Sequence, residues 1–426
     1  MADLFTYRDN QLYCEQVPVA TIADQLATPT YVYSADTFRR HYDRLREAFA
    51  ELDPLICYSV KTCGNLNILK LLAQRGSGFD VVSGGELYRV KQAGGDTHRV
   101  VYAGVGKRDD EIRDAIDAQI ASFNVESEAE LENLIRIAGQ MGKPARAALR
   151  VNPNVDPKTH RHTTTGKKET KFGVDLERAE QVFQRFGRDE HVRLNGIHIH
   201  IGSPVNTIEP YVQAISKTLA FIDALRERGF AIETLNLGGG FGADYVTGQA
   251  PAFEAYAAAI VPLLRDRGLR VMFEPGRSIS GSAGILLTRV LYTKQGGDKT
   301  FAIVDAAMND LIRPVLYDAF HFLWPVRVAN GHEPKERSEP LDLPDTQIYD
   351  IVGPVCETGD FLARDRRLPH LQRGDLLAVF TAGAYGFAMS SQYNARCRAA
   401  EVLVEDDQYR VIRRRETYDD LVALER

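Results

Sequence analysis

The chain has 426 residues, 44% of them apolar and 26% charged, with 52 Lys and Arg against 58 Asp and Glu for a net charge of −6. At about 100–200 residues per domain this length predicts two domains, or one large barrel with an appendage, and a core that needs no disulfide staples. No clustered Lys/Arg run offers a footprint for nucleic acid, and no run approaches the ~18 apolar residues of a membrane span.

The opening residues, MADLFTYRDNQLYCEQ, show no basic region followed by an apolar stretch, so a cytoplasmic protein is expected. Five cysteines (Cys14, Cys57, Cys63, Cys356 and Cys397) form an odd set without C-x-x-C spacing. That pattern argues against a disulfide framework and against a structural zinc site. From about residue 55, short β-branched or aromatic runs alternate with Ala-, Leu-, Glu- and Arg-rich stretches. The runs are 56–60, 79–82, 100–103, 121–125, 147–151, 196–201, 234–237 and 270–274. Amphipathic segments such as NLNILKLLAQRG and EAELENLIRIAGQMG lie between them, each ending near Gly as a crossover helix does. Eight βα units predict an α/β fold, a (β/α)₈ TIM-like barrel, over 35–281.

Beyond residue 282 the runs AGILLTRVLYTK, TFAIVDAA, QIYDIVGPV, DLLAVF, AAEVLVE and QYRVIRR follow without long helices. They predict a second, mainly antiparallel β domain, a Greek-key-like barrel, formed by 282–426 together with 1–34. The Pro-rich, charged stretch 325–346 is expected to be a surface connection, and 159–173 a mobile loop.

Barrel chemistry sits at the C-terminal ends of the strands. Here those ends carry Lys61, Ser83-Gly84-Gly85-Glu86, His200-Ile201-Gly202-Ser203, Gly238-Gly239-Gly240 and Glu274-Pro275-Gly276-Arg277. A Lys among apolar neighbours is a nucleophilic amine suited to a Schiff base, which predicts a carbonyl cofactor; alone at a strand end it is a solvated charge. The LNLGGGFGADY turn offers bare N–H groups for a phosphate, or simply reverses the chain. His198 and His200 on one strand invite a zinc reading, but no further ligands stand at the other ends, so no metal is expected; one ring packing on a flat cofactor explains them better. Glu274 is either a surface partner of Arg277 or a carboxylate holding a heterocyclic nitrogen protonated. Together these groups describe a pyridoxal phosphate site.

The ordered motifs YSVKT (around Lys61), GFDVVSGGEL, TKFGV, HIHIGS, LNLGGGFG, EPGRS, VDAAMNDLIRPVLYDAFH, GPVCETGDFL and AGAYGFAMSSQYN cover nearly the whole chain. On them the chain resembles the diaminopimelate decarboxylase family, in the alanine-racemase-like group of pyridoxal-phosphate enzymes that also contains ornithine and arginine decarboxylases. The resemblance implies decarboxylation of meso-2,6-diaminopimelate to L-lysine with pyridoxal 5'-phosphate. By it, Lys61 carries the cofactor as a Schiff base, His200 stacks on its ring and Glu274 holds its nitrogen protonated. Ser203, Gly239, Gly240, Gly276 and Arg277 surround the phosphate or the adjoining substrate. Arg277, Arg313 and Tyr317 grip the distal carboxylate, Glu357 takes the distal ammonium, and Tyr385 contacts cofactor and substrate. Cys356 is the proton donor and reaches the site from the second subunit of a homodimer. The competing readings are another basic amino acid decarboxylase of the group, a non-enzymatic pyridoxal-phosphate carrier, and a metal-dependent barrel hydrolase using His198 and His200. The family's usual Ala-Asn after the lysine is replaced here by Thr62-Cys63-Gly64-Asn65, and a common Gln after the serine by Pro204.

Overall fold

The structure, a computed structural model, describes residues 3–156, 171–339, 341 and 343–426. The chain divides into two compact units, one of His41–Gly242 and Ala250–Ser278, the other of Met1–Arg40, Ala243–Gln249 and Ile279–Arg426.

In the first unit, eight parallel strands (Leu55–Ser59, Gly78–Val81, Val100–Tyr102, Ser122–Val125, Ala145–Asn152, Val192–His198, Thr234–Asn236 and Arg270–Phe273) pair in chain order, and the eighth pairs with the first to close the barrel. Most strand positions are buried because both faces of the barrel strands are covered. Leu55, Cys57, Val101 and Met272, from the first, third and eighth strands, form a buried hydrophobic cluster. Several crossover helices start at side-chain caps: Ser83 Oγ accepts from Glu86 N, Asn65 Oδ1 from Asn67 N, and Ser127 Oγ from Glu130 N. A two-residue strand, Val174–Asp175, adds to the fifth barrel strand and had no signal in the periodicity. Of the expected mobile loop 159–173, residues 159–170 lie outside the described residues.

The second unit is built on a long strand, Gly284–Gly296, paired antiparallel with Thr30–Ser34, Leu376–Val379 and Lys299–Val304. Two of its pairings are parallel, Lys299–Val304 with Thr346–Val352 and Ala400–Glu405 with Thr30–Ser34. The N-terminal segment joins this unit through buried Glu15. One of its carboxylate oxygens accepts from Ser34 Oγ and Asp36 N, the other from Asp406 N. The stretch 325–346 is more than the surface connection expected of it. Pro325 is paired in a strand, Val326 is buried, Trp324 Nε1 donates to His332 O, and Arg337 forms an ion pair with Asp3. Arg337 is thus tied to the N-terminal segment while Arg327, Glu333, Lys335 and Glu336 stay exposed, a division that composition alone does not reveal. Among the described residues, no helix is long and apolar enough to cross a membrane.

Candidate active site

The first barrel strand passes into a single 3-10 turn, Val60–Thr62, that carries Lys61. Its Nζ lies 2.7 Å from Asp80 Oδ2, and Ser59 Oγ donates to the same oxygen at 2.7 Å. Asp80 is fully buried, and burial pushes its carboxyl above the ordinary range against the opposing pull of the Lys61 cation. The apolar neighbours expected of Lys61 are present in buried Cys57, Tyr58 and Val60, but the amine also has a buried carboxylate partner.

Glu274, at the end of the eighth strand, is 5% exposed, so the surface ion-pair reading fails. Asn124 Nδ2 and Asn236 Nδ2 both donate to its Oε1, at 2.6 and 2.7 Å, while His198 Nε2 stands 3.3 Å from Oε2. Burial by itself pushes this carboxyl up, yet the His198 contact, with Lys61 and His200 nearby, carries it well below the usual carboxylate range. The two histidines thus have different tasks. His198 is a buried neighbour of the anion. His200 accepts a hydrogen bond at Nδ1 from Gly239 N at 3.2 Å, and burial, reinforced by Arg150 and Lys61, holds its imidazole well below the usual range and neutral. Among the described residues, no group of three or more His, Cys, Asp and Glu side chains is placed to hold a metal ion.

The glycine turn is fixed by packing. A Cβ on Gly239 would sit 2.1 Å from Glu274 O, and one on Gly240, whose φ is +100°, would sit 2.3 Å from Gly202 O. Only glycine lets the ends of the sixth, seventh and eighth strands approach this closely. Gly276 is similarly enclosed by Thr62 and Ser59. Arg277, buried on the short helix Arg277–Ser280, donates from Nε to Ser203 Oγ at 3.1 Å, so these two expected residues meet.

Several groups escaped the reading of strand ends. Arg150 is buried, bonds Glu126 through Nη1 at 2.9 and 3.2 Å, lies over the Phe172 ring, and reaches His200 O. Burial raises the Glu126 carboxyl, but Arg150, His198 and Lys107 together outweigh it and the group stays low. Asp80, Asn124, Arg150 and Asn236 each interrupt an apolar strand run. A polar residue inside a strand that both faces bury was the available signal.

In the second unit, Arg313 opens a five-residue helix that ends at Tyr317. Its guanidinium is buried over the Tyr245 ring at 4.6 Å and donates to His321 Nε2 at 2.8 Å, which leaves the His321 proton on Nδ1 to reach Phe380 O at 2.9 Å. Tyr385 is half-buried with φ +57°, a strained backbone for a non-glycine residue. Cys356 and Glu357 are exposed neighbours on a loop closed by Asp360, whose carboxylate accepts from Val355 N at 2.8 Å and Met308 N at 2.7 Å. Cys356 N donates to Asn394 Oδ1 at 2.8 Å, and Tyr393 Oη to Glu357 Oε2 at 3.0 Å.

Residues 35–281 match the family model described as pyridoxal-dependent decarboxylase, pyridoxal binding domain. The chain is 48% identical to the diaminopimelate decarboxylase of Aquifex aeolicus over 98% of its own length and 96% of the relative's. It is also 48% identical to that of Pseudomonas aeruginosa, over 99% and 98% of the two chains. The crystal structure of diaminopimelate decarboxylase from Helicobacter pylori complexed with L-lysine aligns with a TM-score of 0.89 at 38% identity, covering 96% of this chain and 99% of that one.

Proposed function

The chain belongs to the pyridoxal-dependent decarboxylases, and among them to the diaminopimelate decarboxylases, and on that premise we propose how its residues divide the work. The reaction is decarboxylation of meso-2,6-diaminopimelate to L-lysine and CO2. The observation that carries the assignment of roles is Glu274, a buried carboxylate kept ionised by His198 and two asparagines.

The donor set fits pyridoxal 5'-phosphate. Lys61 offers a primary amine at a strand end, His200 a neutral flat ring, Glu274 a fixed anion for a ring nitrogen, and Ser203, Arg277 and the glycine-turn N–H groups a setting for a phosphate. When bound, the cofactor supplies an electron sink for the pair left behind as CO2 departs. Lys61 would hold it through its side-chain amine, and Asp80, 2.7 Å from that nitrogen, would stabilise the protonated form of the amine when it is free. Glu274 holds the ring nitrogen's proton, and Asn124 and Asn236 stop the carboxylate from rotating. Arg277, Arg313 and Tyr317 bind the distal carboxylate, Glu357 the distal ammonium, and Tyr385 contacts both cofactor and substrate. Cys356 Sγ delivers the proton that replaces the departing carboxylate, so one C–C bond breaks, one C–H bond forms and CO2 leaves.

Cys356 and Glu357 are exposed in a single chain, where water would compete for both proton transfer and ammonium binding. This supports a homodimer in which they serve the partner's site. A proton-donating thiol must stay reduced, which fits the cytoplasm.

The purified protein is expected to be yellow, with a visible absorbance band that Lys61→Ala abolishes, and to release CO2 from meso-diaminopimelate far faster than from ornithine, arginine or lysine. Turnover of ornithine without turnover of diaminopimelate overturns the substrate. A colourless, zinc-containing protein overturns the reaction.

A further inference from the structure

The Cys356–Glu357 pair has a matching pair opposite it. Asn394 Oδ1 accepts from the Cys356 main-chain N–H at 2.8 Å, and Tyr393 Oη donates to Glu357 Oε2 at 3.0 Å. Two consecutive residues of one loop are thus held, one contact each, by two consecutive residues of another. The second loop is itself anchored: Ser391 N donates to Asn309 O, and Arg396 Nη2 to Asp305 O. It also carries backbone strain. Asn394 has φ +54° and Ala395 φ +52°. Asn tolerates that region and Ala does not, so the surrounding structure must impose the second. Strain of this kind at an exposed turn calls for a functional reason, and the two contacts supply one. The partnership with Glu357 keeps the Tyr393 phenol protonated, as a donor to a carboxylate must be.

We propose that Tyr393 and Asn394 are positioning residues for the reaction: Asn394 fixes the main chain of the proton donor, and Tyr393 presets the carboxylate that receives the distal ammonium. The proposal rests on the roles given above to Cys356 and Glu357. It has a chemical consequence for selectivity. With Oε2 occupied by the phenol, Glu357 presents Oε1 to an ammonium without first paying the rotamer entropy of a surface glutamate. Discrimination for a substrate with a distal amine therefore depends on a tyrosine that need not touch that substrate.

The test uses the holoenzyme and four variants. Tyr393→Phe is expected to raise KM for meso-diaminopimelate about tenfold, the effect of losing a hydrogen bond to a charged group, with kcat nearly unchanged. Inhibition by D-2-aminopimelate, which lacks the distal amine, should keep its Ki. Asn394→Gly, which accepts the left-handed backbone but lacks the acceptor, should lower kcat and enlarge its solvent deuterium isotope effect; Asn394→Asp, which restores the acceptor, should recover most of both. Glu357→Gln is the control for the underlying reading. If it leaves KM unchanged, the role of Glu357 falls and this proposal with it. If Glu357→Gln raises KM while Tyr393→Phe leaves it within twofold, or if Tyr393→Phe weakens D-2-aminopimelate equally, the positioning role alone falls. If Asn394→Gly keeps the parent's kcat and isotope effect, the role of Asn394 falls, and should that variant not fold, the same comparison is made with Asn394→Ala.

Discussion

The barrel end and the Cys356–Glu357 loop hold their polar groups by opposite means. At the barrel end the means is burial: Glu274, Asp80 and Arg150 are nearly inaccessible, and each charge is set by fixed partners within about 3 Å. The field there is strong and rigid because water is excluded. In the loop, Cys356, Glu357, Tyr393 and Asn394 are all exposed, and hydrogen bonds between two short segments set geometry but little electrostatics. The first means stabilises charge, and the second fixes orientation.

Substitutions can break this contrast or sharpen it. Cys356→Ala, which removes the only proton donor assigned to the loop, should lower kcat by ~10²–10⁴-fold, the range for a general acid, without changing cofactor absorbance. A comparable activity in that variant would place proton delivery elsewhere. Glu274→Gln keeps the volume and removes the anion; a loss of ~10²–10³-fold in kcat is expected, as for removal of one preorganised electrostatic partner. The cofactor's absorbance should change with it, unlike in Cys356→Ala, and identical spectra would erase the distinction between the regions. Arg313→Lys retains charge but not the planar fork, and KM should rise about tenfold with a smaller change in kcat.

The smallest effect is on stability and concerns a buried carboxyl of the second unit. Burial pushes the Asp310 carboxyl from 3.8 up to about 7, against the Ala307 N–H and Arg396, which pull it down. The folded state then holds a proton that the unfolded chain has lost, so stability falls as pH rises from about 4 to 7 and is level above that. Asp310→Asn keeps an acceptor for Ala307 N and removes the titration. Thermal unfolding at pH 8 and pH 5 should show the gap between the two narrowed by ~2–3 kcal/mol relative to the parent. An unchanged gap would mean that Asp310 ionises normally in the folded protein.

How far the sequence could be read depends on which forces are local. All eight barrel strands were legible, because burial on both faces gives short continuous apolar runs between capped helices. The strand Phe361–Pro369 was missed: four consecutive charged residues, 364–367, break the alternation of FLARDRRLP, which resembles a loop until Thr346–Val352 is seen beside it. Parallel pairing of Thr30–Ser34 with Ala400–Glu405 joins segments some 370 positions apart, which no local pattern records. At the site, Lys61, His200 and Glu274 stand at strand ends and could be picked out by position. The partners that give them their character could not. Asp80, Asn124 and Asn236 lie on three other strands and meet Lys61 or Glu274 only when the barrel closes. The same holds for Tyr393 and Asn394, more than 35 residues from the pair they hold.

The central claim is that Glu274, kept anionic by His198, Asn124 and Asn236, holds a proton on the cofactor's ring nitrogen. The most direct measurement is 15N NMR of the enzyme reconstituted with pyridoxal phosphate labelled at that nitrogen. The account predicts a protonated nitrogen in the parent enzyme well above neutral pH, and loss of that signal in Glu274→Gln. An unprotonated nitrogen in the parent at neutral pH would contradict it.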